Sequence, residues 1–454
     1  MRIRLLHSAA TMLLIPAKTT ALRPFPVVGH VPHIIRRGLL NVVGDVCGRN
    51  GDIGKLVMGP RTVHIISHPD HVRYVFAENS PNYIKGTALN NLRLLLGEGL
   101  VTSDGELWRT ERNIVRSAFQ KDKMGALIAL ASSPVEKMLS AWDQGAPQSS
   151  FEVHRDMRRL VFVISGLTLF GCDLSAHEDE ATEAFAVALR TITDRNQNVY
   201  ALPLTVPTPG NVRLKRAIAT LDRHVNSIIE SGSSDTNGGD VLSTLLRARG
   251  KNDRQLRDEV ITLYLAGHDA TTHGLTWVLH FLAQYPDLQQ ALREEASILL
   301  GGRNPTYEDL RFMTLTYKTI QESLRMRSPA ALIVRQLVDD DSVDGHHFQA
   351  GSWVLISSYL THQMPEFWPD PDRFDPERFT EEASRSRHQY AYYPFGVGPR
   401  TCIGNHLATI EIQLILAMIL QRYEFTHAPG ARVEEAWHGT LFPKGGLRLM
   451  RSRL

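Results

Sequence analysis

The chain has 454 residues, enough for about three average domains or for one large enzyme domain with a sizeable core. With 43% hydrophobic and 22% charged residues, its composition excludes a disordered chain, a collagen-like repeat and a coiled coil. Fifty Lys plus Arg against forty-eight Asp plus Glu leave +2, too balanced for a nucleic-acid or membrane-surface binder working by bulk charge.

Residues 1–22 read as an N-terminal extension, followed by one large domain over 23–454. The apolar stretch Leu5 to Ile15 is interrupted by His7, Ser8 and Thr11 and ended by Pro16. It falls short of the ~20 residues a membrane helix needs, so no stable membrane span is expected. No small-residue cleavage site precedes Arg23-Pro24-Phe25-Pro26, and a cytoplasmic location follows as the expectation. Cys47, Cys172 and Cys402 are too scattered for a disulfide framework, which fits a reducing compartment.

Two β-type runs, Ile53 to Met58 and Thr62 to Ser67, flank Gly59-Pro60 and predict a hairpin. Helical periodicity then dominates: His71 to Glu78, Gly105 to Phe119, Phe151 to Phe170, Ala181 to Ile192, Asn211 to Glu230 and Val241 to Leu246. Lys85 to Leu100 and Ala201 to Asn211 read as access loops, and Ser231 to Asp240 as a polar surface turn. A helix over Asp253 to Tyr285 is long enough to cross the domain, at about 45 Å. Helices at Leu288 to Leu300 and Thr314 to Met326 precede strands at Ile333 to Val338 and Trp353 to Ser357. An irregular stretch from Met364 to Pro399 leads into a last apolar helix, Ile403 to Tyr423. The fold class is mainly α with a small β-sheet portion.

The strongest chemical signal is Phe395-Gly396-Val397-Gly398-Pro399-Arg400-Thr401-Cys402-Ile403-Gly404, where the irregular stretch meets that helix. A cysteine at a helix start faces unsatisfied N–H groups and the positive end of the dipole, which favour its thiolate. The glycines let a flat cofactor approach the backbone, and Arg400 can reach an anionic substituent of it. An isolated cysteine there would read as a small core residue. Glu322 and Arg325, at i and i+3, share a helix face, and Trp108 and Arg112, at i and i+4, share another. Ala266-Gly267-His268-Asp269-Ala270-Thr271-Thr272 places polar groups in the middle of an otherwise apolar helix.

The residues Phe395, Gly398, Arg400, Cys402 and Gly404 reproduce F-x-x-G-x-R-x-C-x-G, and the chain resembles the cytochrome P-450 superfamily of haem-thiolate monooxygenases, as a bacterial soluble member. Glu322 and Arg325 resemble its E-x-x-R motif, Arg378 in Pro376-Glu377-Arg378-Phe379 its P-E-R-F element, and Trp108 with Arg112 its W-x-x-x-R. The resemblance covers about residues 24–450. It implies haem b (iron protoporphyrin IX) with Cys402 as axial thiolate, and propionates held by Trp108, Arg112, Arg335 and Arg400. It also implies haem contacts from Phe395, Gly396, Gly404 and Ala266, and catalytic positions at Asp269, Ala270 and Thr271. Arg378 would fork to Glu322 behind the haem loop.

By the same resemblance the enzyme uses O2 to hydroxylate or otherwise oxidise a hydrophobic small molecule of terpenoid, polyketide or fatty acyl type, in secondary metabolism. No flavin or iron–sulfur segment is present in the sequence, so electrons are expected from a ferredoxin and ferredoxin reductase, or a flavodoxin-type donor. Docking is expected near Arg109, Arg112 and Arg116. The chain departs from the family where Ala270 replaces the threonine that follows the acid Asp269, and Thr271 lies ~100° further around the helix. Protons would then pass through Asp269 and ordered water, a substrate hydroxyl, or Thr271 brought inward by a bulge. Two alternatives stay open: a haem-thiolate enzyme that rearranges, dehydrates or couples without net oxygen insertion, and a haem-based sensor.

Overall fold

The computed structural model describes residues 22–48, 51, 53–145, 150–197, 201–232, 240–250 and 253–454. Most of the expected N-terminal extension and of the Ser231 to Asp240 turn lies outside the described residues. The architecture is mainly helical with small sheets. Its axis is the helix Arg254–Leu282, whose 29 residues give a length of about 44 Å. Asp253 caps it by accepting from the Gln255 N–H at 2.8 Å. Residues on every side of this helix are buried, so it runs through the core rather than over it.

The closest neighbour of that axis is Val153–Phe170. Glu152 caps this second helix through the His154 and Arg155 N–H groups, and Gly171 ends it in left-handed backbone. Thr314–Met326 and Asn405–Leu420 pack on the far end of the long helix, and a single apolar core fills the space between these helices.

The principal sheet has five strands in the order Gly54–Met58, Arg61–Ile66, Trp353–Ser357, Leu332–Leu337 and Tyr83–Ile84. Arg61–Ile66 runs parallel to Trp353–Ser357, and the other pairs are antiparallel. The Gly59-Pro60 turn sets the hairpin register at Met58 opposite Arg61. A second sheet joins Ser150–Glu152, Arg448–Arg453 and Tyr423–His427. A two-stranded hairpin, Glu435–Trp437 with Leu441–Pro443, leans its tip on the long helix.

Several expectations are corrected. The expected helix His71 to Glu78 is a short α-turn, Pro69–Arg73, continued by a wider π-turn, Tyr74–Glu78. Part of the expected access loop Lys85 to Leu100 is the helix Asn90–Leu96. Lys121–Asp143 forms a helix that the sequence reading missed, because Pro134 and Gly125 lie inside it. Proline there removes one N–H, and the carbonyl left without that donor belongs to Leu130, an exposed residue.

Candidate functional site

The loop ahead of Asn405–Leu420 is shaped by two glycines in left-handed backbone, Gly396 at φ 70° and Gly398 at φ 71°. At Gly398 a side chain is excluded twice, by that φ and because a Cβ would lie 2.2 Å from the Phe76 carbonyl oxygen. The Cys402 N–H donates to the Phe395 carbonyl at 2.9 Å and closes the loop. Burial pushes the Cys402 thiol up, while the Gly404 N–H donated to its sulfur and the Arg112 guanidinium draw it back down. Cys402 is thus desolvated by surrounding protein and yet retains open surface, so it faces an internal space. The helix itself begins at Asn405, which puts the sulfur just ahead of the first turn.

The long helix shows the same combination at mid-length. Ala266 is exposed and Gly267, Asp269 and Ala270 are half-exposed, between residues that are buried. Neither of the other cysteines has this setting. Cys47 is fully buried beside Gly54, and Cys172 is half-buried with its thiol pushed up by burial.

Trp108, Arg112, Arg335 and Arg400, drawn from one helix face, a strand and the cysteine loop, converge on one region. Arg400 donates to Asp104 Oδ1 at 2.8 Å and to the Ser103 carbonyl at 3.0 Å, with its guanidinium 3.7 Å from the Trp108 ring centre. Arg112 lies 5.6 Å over the same ring and donates to the Thr401 carbonyl at 2.8 Å. Arg335 is buried over the Phe76 ring.

Two cations that the sequence reading did not single out complete the cluster. Lys85 is buried and donates to the Leu100 carbonyl at 2.8 Å, and Arg93 approaches Asp104 to 3.9 Å. Asp104 alone among the carboxylates sits at the centre, accepting from Arg400 and from the Lys85 and Gly86 N–H groups. The charges are visibly unbalanced. Burial, then Arg400 and Arg335, lowers the Lys85 ammonium to about 6, and burial lowers Arg335 and Arg400 to about 10. A cluster that holds Lys85, Arg335 and Arg400 all depressed is built to receive an anion.

On the long helix, Asp269 accepts from the Thr440 hydroxyl at 2.6 Å, at the tip of the C-terminal hairpin. Asp269 lies 3.6 Å from His273 Nδ1, one turn along. One alternative for the proton path fails here. The helix is α-helical throughout, so no bulge carries Thr271 inward, and Thr271 stays buried at its own angle. A Cβ on Gly267 would lie 2.7 Å from Leu169 Cδ1, so the glycine lets the two central helices approach.

Behind the loop, Arg325 forks to Glu322 with bonds of 2.7 and 2.9 Å, both side chains fully buried. Arg325 also donates to the carbonyls of His362 and Pro371, at 2.7 and 2.8 Å, which satisfies the pair as burial demands. The expected fork from Arg378 is replaced by a looser approach of 3.4 Å, because Arg378 donates instead to the Asp370 carbonyl. An open groove of about 970 Å³ runs on this side of the loop, past Lys318, Tyr392, Phe395, Gly396 and Thr401.

Compared with known proteins, residues 20–449 match the family model for Cytochrome P450. Cyclooctat-9-en-7-ol 5-monooxygenase of Streptomyces melanosporofaciens is 32% identical, over 90% of each chain. Pentalenene oxygenase of Streptomyces avermitilis is 29% identical, over 95% of this chain and 96% of that one. The crystal structure of the cytochrome P450DA heme domain superposes with a TM-score of 0.84 at 24% identity, covering 96% of this chain and 99% of that one. The chain belongs to the cytochrome P450 family, and it is a monooxygenase-type oxidoreductase with a haem cofactor. The residues present fit that group: a desolvated cysteine facing an internal space, and a cation cluster with charge to spare for two propionates.

Proposed function

We propose that the enzyme inserts one oxygen atom of O2 into a C–H bond of a hydrophobic terpenoid, with polyketide or fatty acyl compounds as the wider class, using haem b bound through Cys402. The observation that carries the reading is Cys402, desolvated yet open to an internal space, with the Gly404 N–H and Arg112 directed at its sulfur. When bound, haem would supply O2 activation, which the Cys402 thiolate would promote by donating electron density. This chain's residues do the rest. Trp108, Arg112, Arg335 and Arg400, with Lys85, hold the propionates, and Phe395, Gly396, Gly404 and Ala266 bound the ring. Asp269 passes protons inward from the mid-helix face.

The terpenoid assignment is supported by two relatives whose names carry that chemistry, cyclooctat-9-en-7-ol 5-monooxygenase and pentalenene oxygenase. It is also supported by apolar candidates for the lining, Leu263, Ala266, Ala270, Ile333 and Phe442. Electrons come from a ferredoxin and ferredoxin reductase, or a flavodoxin-type donor, docking on the cysteine face near Arg109, Arg112 and Arg116. A cytoplasmic location is consistent with the absence, among the described residues, of any helix long and apolar enough to cross a membrane.

Ala270, on an unbroken helix, favours a second reading, rearrangement or coupling without net oxygen insertion. Screening terpenes for a high-spin shift of the Soret band, then running those that bind under ¹⁸O2, separates the two. Labelled product supports insertion. Unlabelled product from every compound that binds overturns it.

A further inference from the structure

Beside Asp269 lies a group of side chains that the proposed reaction has not used. His273 stands one turn after Asp269, and its Nδ1 is buried without a hydrogen-bond partner, 3.6 Å from Asp269 Oδ2. Its ring is sandwiched: His154 of Val153–Phe170 stacks on it at 5.2 Å and 9°, and Phe442 of the C-terminal hairpin at 5.3 Å and 23°. The same hairpin holds Asp269 through Thr440. Three elements therefore fix one imidazole against one carboxylate.

We infer that His273 is a positioning residue that returns protons to Asp269, held in place by His154, Phe442 and Thr440, and so serves where Ala270 offers no hydroxyl. The inference rests on the monooxygenase reading above. Inserting one oxygen atom consumes O2, two electrons from the redox partner and two protons, and releases one water as the C–H bond becomes C–OH. A carboxylate that gives up a proton must regain it. A neutral imidazole with its Nδ1–H toward the carboxylate donates that proton while its Nε2 takes one from solvent water, so no charge accumulates, and the Nε2–H tautomer returns to Nδ1–H before the next turnover.

The local chemistry is suited to this. Burial holds His273 and His154 down to about 3, so both rings are neutral at ordinary pH. The Thr276 hydroxyl donates to the Thr272 carbonyl at 2.7 Å and so accepts from His154 Nδ1 at 3.2 Å, which leaves His154 Nε2 bare. His154 is itself half-exposed, at the outer end of the set. The other polar groups facing the cluster are His268, fully buried with both ring nitrogens unpartnered, and Arg158, which disfavours protonation of His154 and His268. Asp269 Oδ2 is engaged by Thr440 at 2.6 Å, and a small turn of the carboxylate brings it within hydrogen-bond distance of His273.

The experiment compares product formed per electron pair in Asp269→Asn, His273→Phe and His273→Gln, with ¹⁵N imidazole spectra of the wild-type ferrous–CO protein. We expect His273→Phe, which keeps the stack, to lower coupling at least ten-fold and to enlarge the solvent isotope effect on turnover. His273→Gln keeps an N–H donor that cannot be reprotonated on a second nitrogen, and is expected to fail equally. The wild-type spectrum should show His273 protonated on Nδ1, with shifts that move in Asp269→Asn. Restoration of coupling by Gln, or an Nε2-protonated His273, would overturn the inference without any variant having to fold. Collapse in Asp269→Asn with coupling in His273→Phe within two-fold of wild type refutes His273 alone, whereas full coupling in Asp269→Asn refutes the monooxygenase proton path beneath it.

Discussion

Lys85→Met isolates the charge imbalance of the cation cluster. In the protein without haem, burial next to Arg400 and Arg335 lowers the Lys85 ammonium from 10.5 to about 6. Between those two values the native apoprotein holds a neutral amine donating to the Leu100 carbonyl, while the unfolded chain holds an ammonium. The unfolded state binds the extra proton, so the contribution to stability is unfavourable at neutral pH and improves as pH rises toward 10.5. At pH 7.5 three units separate the unfolded value from the solution, which at about 1.36 kcal/mol per unit bounds the cost at roughly 4 kcal/mol. Two propionates reverse the balance by restoring the ammonium. Haem binding at pH 8 should therefore take up close to one proton, and affinity should fall up to about tenfold per pH unit above 6. Calorimetric titration in buffers of different ionisation enthalpy reads the proton count directly. Lys85→Met should abolish the uptake and flatten the pH dependence of apoprotein stability. An uptake near zero in the wild type, or an equal uptake in the variant, would show that Lys85 does not meet the propionates.

Three further outcomes follow from the site. Cys402→Ser should abolish the ferrous–CO band at about 450 nm, whereas Cys47→Ser, altering a cysteine buried beside Gly54, should keep it. Arg112→Ala and Arg400→Ala should each quicken haem transfer to apomyoglobin by about 10- to 100-fold, since each leaves a partly buried carboxylate short of one cation at a cost of roughly 1.5 to 3 kcal/mol; unchanged transfer in both would count against their role. Glu322→Gln removes the charge that Arg325 forks to in a fully buried site, and chemical denaturation should register a loss of about 3 to 5 kcal/mol.

What was legible in the sequence depended on how local its cause was. Thr314–Met326 and Trp353–Ser357 appear where the apolar period placed them, and the expected hairpin forms at Gly59-Pro60, because each is fixed by residues within a few positions. Lys121–Asp143 was hidden because proline and glycine are local signals against a helix, and packing on the core overrides them. The strand Ser150–Glu152 was hidden for the opposite reason. It is three residues long and exists because Arg448–Arg453, nearly three hundred positions away, offers it a ladder.

The site divides along the same line. Cys402, Arg400 and the Glu322–Arg325 pair were readable because motif spacing carries them. Lys85, Asp104 and Thr440 were not, since nothing near each of them indicates what it faces. Asp104 does have a faint signal, an acid four residues ahead of Trp108 at the start of a helix, but its meaning appears only when Arg400 arrives from the other end of the chain. Gly267 shows the limit of motif reading from the other side. Its place in the Ala266 to Thr272 pattern says nothing of its neighbour across the core, yet Leu169 lies where its Cβ would be. The glycine thus sets how closely the central helices approach, and the open face is left to Ala266 and Ala270. A threonine at 270 would project its hydroxyl from that face. With alanine there, no hydroxyl stands at 270, and the polar pair beside it is held from outside the helix, Asp269 by Thr440 and His273 by Phe442 and His154, so the proposed proton path depends on the C-terminal hairpin and the helix Val153–Phe170.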